Sequence, residues 1–185
     1  STGNIMIVGA EESINRYALT VTKSGYETVN TFIPYPDTAF YPVDTHASVM
    51  AGELNTADII QNKTAGIKSL SKDYLGNPVG DIDFRLIGGR KIGTAALPPN
   101  NPIYNFNETD KTDSNGEKEF SSVSPGPYNF ELDASEEDYE LAGIDTNSPF
   151  SLASEDNLEI SVEVAPKNIA SLLVRVKNSL DQSLI

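Results

Sequence analysis

Asp110-Lys111-Thr112-Asp113-Ser114-Asn115-Gly116-Glu117 gathers the hard oxygen donors that a calcium ion takes. Asp110, Asp113 and Asn115 are the candidate ligands. The EF-hand order fails at its first ligand, because Lys111 holds that place, and no Glu stands at the twelfth. Asn-Gly is ordinarily a hairpin turn, so the expectation is a turn, with weak calcium binding as the second reading. Beyond that ion no cofactor is expected. Asp133 with Glu136-Glu137-Asp138 forms a second acidic cluster, read as a solvated loop.

His46 is the only histidine, and the chain has no cysteine. One imidazole without thiolates falls short of a typical zinc site, and no Gly-x-Ser-x-Gly elbow supplies a nucleophile for it to activate. The expected role of His46 is structural. Gly88-Gly89-Arg90-Lys91-Ile92-Gly93 is glycine-rich and basic but lacks the Walker spacing and a following helix, and reads as a hairpin loop. Asn62-Lys63-Thr64 and Asn107-Glu108-Thr109 fit the N-glycosylation rule, which has meaning only in a host that glycosylates exported proteins. The expectation is a chain that is not an enzyme.

The densest aromatic stretch is residues 32–42, with four aromatic rings and three prolines. Exposed rings stack on sugars or partner surfaces, so Tyr35, Phe40 and Tyr41 are the candidate ligand-binding residues. The competing reading is a long loop packed over a domain end, with proline limiting its entropy.

The elements that must hold these residues are strands. Ile82, Phe84 and Leu86 alternate with polar neighbours, as do Tyr128, Phe130 and Leu132, then Leu158, Ile160, Val162 and Val164, then Leu172, Val174 and Val176. Tyr17, Leu19 and Val21 repeat the pattern near the start. Period two with one apolar face is the mark of a half-buried strand. Leu75-Gly76-Asn77-Pro78, Gly88-Gly89, Ser114-Asn115-Gly116 and Pro125-Gly126-Pro127 supply turn chemistry between the runs. Leu54 to Gln61 reads as a short helical turn or a last strand. No apolar run is long enough to span a bilayer, so no membrane insertion is expected in this segment. With 27 acidic and 13 basic residues, a net charge of −14, the surface repels nucleic-acid phosphates.

An internal repeat sets the expected organisation. Gly3 and Gly116 are 113 positions apart, as are Tyr26 and Tyr139, and Lys72 to Val79 resembles Lys177 to Leu184. This spacing suits a sandwich domain. The division expected is residues 1–63 as the C-terminal part of a first repeat, 64–166 as a complete second, and 167–185 as the first strand of a following repeat. That last strand could instead complete the open sheet of a neighbouring copy.

Lys72-Asp73, Gly76-Asn77-Pro78-Val79 and Asp81 to Leu86, then Thr112-Asp113-Ser114-Asn115-Gly116 with Phe120, then Ser124 to Phe130 and Asp138 to Leu141, resemble in order and spacing the motifs of carboxypeptidase regulatory-like and collagen-adhesin B-type domains. The resemblance covers residues 72–164. It implies tandem Ig-like or prealbumin-like (transthyretin-like) antiparallel β-sandwiches, an all-β class. It further implies a non-catalytic structural segment of a secreted or cell-surface stalk, pilus or adhesin, with neighbouring repeats or copies as partners. The alternatives are a glycan- or host-protein-binding module using residues 32–42, or an accessory domain of an exported hydrolase. In collagen-adhesin B-type domains a buried Glu often catalyses a Lys–Asn cross-link. Lys72 stands where the lysine would be, but the Glu position holds Leu132, with Glu131 on the opposite face and Val21 at the matching place in the first repeat. The cross-link is therefore not expected.

Overall fold

The computed structural model describes residues 3–167 and Val174. Among these residues the chain is all-β, and no helix is long and apolar enough to cross a membrane. The segment of residues 167–185 expected as the first strand of a following repeat lies outside the described residues, Lys167 and Val174 apart.

Two sheets face each other across the core. One holds β6 (Ala65–Lys72), β9 (Glu117–Val123), β11 (Tyr139–Ile144) and β13 (Asn157–Pro166), in the order β11-β13-β6-β9. The other holds β7 (Asp83–Ala95), β8 (Pro102–Lys111), β10 (Gly126–Leu132) and β12 (Phe150–Leu152), together with β4 (Phe40–Pro42) from the N-terminal segment. The alternating runs make the core, with Ile82, Phe84, Leu86, Tyr128, Ile160, Val162 and Val164 all almost fully buried. Each large apolar side chain so buried contributes about 1.5–3 kcal/mol relative to exposure. Phe84 stacks on Phe130 at 4.9 Å, and Tyr128 on Phe150 at 6.0 Å. The sandwich is not wholly antiparallel, because β6 and β13 run parallel from Gly66 beside Asn157 to Lys72 beside Glu163.

The turns at 74–77 and 112–116 form as the sequence predicts. Gly88-Gly89 does not. These residues lie inside the thirteen-residue β7, not in a hairpin loop, and the β7–β8 register shifts between Gly88 and Lys91. A Cβ at Gly88 would overlap the Pro127 carbonyl oxygen and sit 2.7 Å from Tyr128 Cα, so glycine here allows close approach of β10 and a bulge. The hairpin reverses later, at residues 96–101.

The N-terminal segment carries β1 (Ser13–Tyr17), β2 (Thr20–Val21), β3 (Val29–Asn30) and β5 (Ala47–Val49). β1 pairs with β5 and β2 with β3. The Tyr17–Val21 run is therefore broken between Tyr17 and Thr20. Leu54 to Gln61 is neither helix nor strand. Gly3 and Gly116 do not share surroundings. Gly3 has no atom within 4 Å of a virtual Cβ, whereas Gly116 has a φ of 75° and packs on Ser71 and Val79. Tyr17 Oη donates to the carbonyl of Glu11, six residues back and exposed, at 2.6 Å, whereas the buried Tyr128 Oη donates to that of Ser124, four residues back, at 2.8 Å.

Candidate functional site

The most tightly built polar constellation lies between the N-terminal segment and the sandwich, centred on Arg90. β7 and β8 extend past the end of β10, and on the freed edge of β7 the N-terminal strand β4 pairs, with Phe40 opposite Ala95 and Pro42 opposite Gly93. Arg90 sits midway along β7. Its guanidinium donates to Glu27 Oε1 at 3.0 Å, to Asp44 Oδ2 at 2.9 Å and to the Ile60 carbonyl at 3.0 Å. Its backbone N–H donates to Asn105 Oδ1.

Glu27 is almost wholly buried, with its side chain 1% exposed against 16% for Arg90. Glu27 Oε1 also accepts from the backbone and side-chain amides of Asn62, at 3.0 and 2.8 Å. Gln61 Nε2 donates to the Glu27 and Val21 carbonyls. Glu27 Oε2 has no hydrogen-bond partner among the described residues. A buried carboxylate of this kind is tolerable only with a cation against it, and Arg90 supplies the planar fork that suits it. Burial works against the Arg90 charge, but hydrogen bonding to Asp44 and the attraction of Glu27 outweigh it, and the net direction of its pKa is upward. Burial, and then the Glu27 charge, push the Tyr128 hydroxyl well above its ordinary range. Lys63 adds an outer tie to Glu155 at 2.6 Å, and the Thr64 N–H donates to the Gly25 carbonyl. Clamp and shared sheet fix the N-terminal segment against the sandwich.

His46 serves the same segment. Its Nδ1 lies 2.9 Å from Thr31 Oγ1, which accepts from the Leu19 N–H. The imidazole thus orients a hydroxyl that stands in for a strand-pairing carbonyl.

The aromatic candidates divide. Tyr35 and Tyr41 come together with ring centroids 4.7 Å apart, 46% and 49% exposed. Phe40 turns the other way, edge-on to Phe32 at 5.3 Å, and its ring occupies the space a Cβ at Gly93 would take. Phe40 therefore serves packing, and Tyr35 with Tyr41 forms the exposed pair.

The acidic candidates are occupied separately. Asp110 pairs with Lys118. Asp113 Oδ1 accepts from the N–H groups of Glu117 and Asn115, at 2.8 and 2.9 Å, and Asn115 Nδ2 bonds Asp113 rather than facing a shared centre. No group of three or more His, Asp or Glu suited to a metal ion occurs among the described residues. Hydrogen bonding from Glu117 leads in holding the Asp113 carboxyl below its usual range. A depressed carboxylate stabilises above its unfolded pKa, and that contribution is lost as pH falls through the folded value. Asp113→Ala is accordingly expected to lower the melting temperature at neutral pH, with the difference from wild type shrinking below about pH 4. Thermal melts of both chains across pH check this, and a gap that widens in acid would contradict it.

Glu136 corrects the reading of its loop as solvated. It is buried, and its carboxylate accepts from the N–H groups of Asp83, Asp138 and Tyr139, while Lys167 Nζ donates to its carbonyl. The loop ties the start of β7 to the start of β11. Leu132 packs against the core, and Glu131 faces Arg85 across the strands at 3.5 Å.

An apolar groove of about 620 Å3 opens in the N-terminal segment, lined among others by Ile5, Ile7, Leu19, Val21, Val49 and Ile59.

Sequence signals for the clamp were weak. Glu27 follows Tyr26 in a stretch without period, and Arg90 stands in a glycine-rich run that reads as a loop.

No family model matches the chain, and no curated protein matches it. Among solved structures it is similar to a streptococcal ancillary pilin, with 18% identity and a TM-score of 0.36, over 72% of this chain and 43% of that one. The chain thus spans under half the length of that pilin.

Proposed function

We propose that this chain is a structural, non-catalytic segment of an extracellular stalk, pilus or adhesin, in which neighbouring repeats or copies join, in part by strand addition. On this reading residues 1–63 are part of one repeat, 64–166 a whole one, and 167 onward the start of another. The observation that carries the reading is the clamp. A flexible tether would leave the two parts free to reorient, the ordinary expectation for small polar interfaces within a chain. Here a partly buried Glu27–Arg90–Asp44 contact and a strand shared with β7 hold them together, which is what transmitting load along a rod requires.

Single-molecule pulling from the two ends of the described chain tests it. Wild type is expected to keep the N-terminal segment docked until the sandwich itself ruptures, whereas Arg90→Ala releases that segment in a separate, earlier step. Early release in wild type would remove the basis for a load-bearing role.

A second reading is favoured by the paired, half-exposed rings of Tyr35 and Tyr41, which offer a platform for a glycan or a host protein. On a glycan array, Tyr35→Ala and Tyr41→Ala would each lower binding at least about tenfold if each ring contributes a stacking contact near 1.5 kcal/mol. Equal signal from both variants and wild type excludes this use of the pair.

A further inference from the structure

We infer that the apolar groove of the N-terminal segment receives residues 168–177 of a second copy of this chain as an added strand. The inference rests on the structural reading above and names its partner. β5 is paired only with β1 among the described strands, whereas β13, whose residues 160–162 stand 113 positions after Ala47–Val49, lies between β11 and the parallel β6. The N-terminal segment thus presents β5 without a neighbour of the β6 kind, above the apolar floor of Leu19, Val21 and Val49. Residues 168–177 have the matching pattern. Leu172, Val174 and Val176 alternate, and Lys177 to Leu184 resembles Lys72 to Val79, the stretch that begins at the end of β6. Val174 is 74% exposed.

Charge agrees with the pairing. Residues 168–177 carry Arg175 and Lys177 and no acidic residue, in a chain of net charge −14. Glu53 lines the groove, and Glu11 and Asp58 adjoin its lining residues, while the one cation beside the lining, Arg16, is already paired with Asp37. A basic strand entering an acidic rim gains orientation as well as attraction.

Chain polarity selects the second copy. β13 starts beside Gly66, near the clamp, and runs away from it to Pro166. Its ten residues span about 30 Å at about 3.3 Å each. Leu172 lies five residues past Lys167 and can travel at most about 18 Å, so it cannot return to its own groove. The groove is at one end and the strand leaves from the other. The contact is therefore heterologous, and repetition joins copies head to tail.

Light scattering on the full chain across a concentration series tests this. The weight-average mass is expected to rise at least about two-fold for wild type, as for any head-to-tail contact that propagates. Val174→Asp with Val176→Asp should remain monomeric, as should Leu19→Asp, each checked for an intact melt. Mixing the two defective chains should restore a heterodimer that grows no further, because one retains the groove and the other the strand. If Leu19→Asp does not fold, a free peptide of residues 167–178 added to wild type should dissociate its assemblies instead. Wild type that stays monomeric, or assembles as well with Asp at 174 and 176, overturns the inference. Since pulling of a single chain reads the clamp alone, either outcome leaves that test independent.

Discussion

Arg90→Ala is expected to lower the stability of the chain by about 3–5 kcal/mol, the cost of leaving a buried carboxylate without its cation. The partner left behind decides the size. Glu27 is 1% exposed, so its carboxylate is desolvated and depends on the guanidinium for its compensating charge. Asp44, 22% exposed, loses less. The double variant Arg90→Ala with Glu27→Gln removes the stranded charge and is expected to recover at least about 1 kcal/mol of the loss, so the two changes are not additive. Denaturant unfolding supplies the energies, and hydrogen exchange locates them: the amides of Glu27 and Asn62 should lose protection before those of β10. A loss of under about 1 kcal/mol would place the contact with exposed ion pairs, which contribute little.

Why the clamp escaped the sequence is a matter of separation. Glu27 and Arg90 stand far apart in the chain, and nothing near either one encodes the other. Glu27 and Glu136 each resemble the acidic residues that solvate the rest of the surface, and only folding distinguishes these buried ones. Strand-forming stretches were legible because their signal is local. Ile82, Phe84 and Leu86 declare a buried face within five positions, as do Tyr128 and Phe130, and all of these reach the core. The aromatic stretch was half legible. Composition marks its rings as unusual, but it cannot say that Tyr35 and Tyr41 turn outward together while Phe40 seats on Gly93. The Asp113 turn is legible in Asn-Gly, because such a loop satisfies its own carboxylate from its own backbone.

Glycine was the residue type that misled, since it marks either a reversal of the chain or a close approach of two backbones. Gly88 is the second kind, and Gly88→Ala should therefore cost about 3 kcal/mol, the upper part of the range for overpacking. The new methyl group would meet the Pro127 carbonyl oxygen and Tyr128 Cα, both main-chain atoms of β10, so no side chain can swing aside. Relief requires β10 to withdraw from β7, which would undo the pairing of Gly88 with Tyr128 and disturb the hydrogen bond from the Tyr128 hydroxyl to Ser124. Gly52→Ala is the control. Gly52 has a φ of 79° with nothing within 4 Å of a virtual Cβ, so the same change there incurs the backbone strain alone, about 1–2 kcal/mol. Denaturant midpoints of the two variants separate crowding from strain. Equal midpoints would mean that β10 yields without loss and that the bulge after Gly88 does not hold the two strands in close contact.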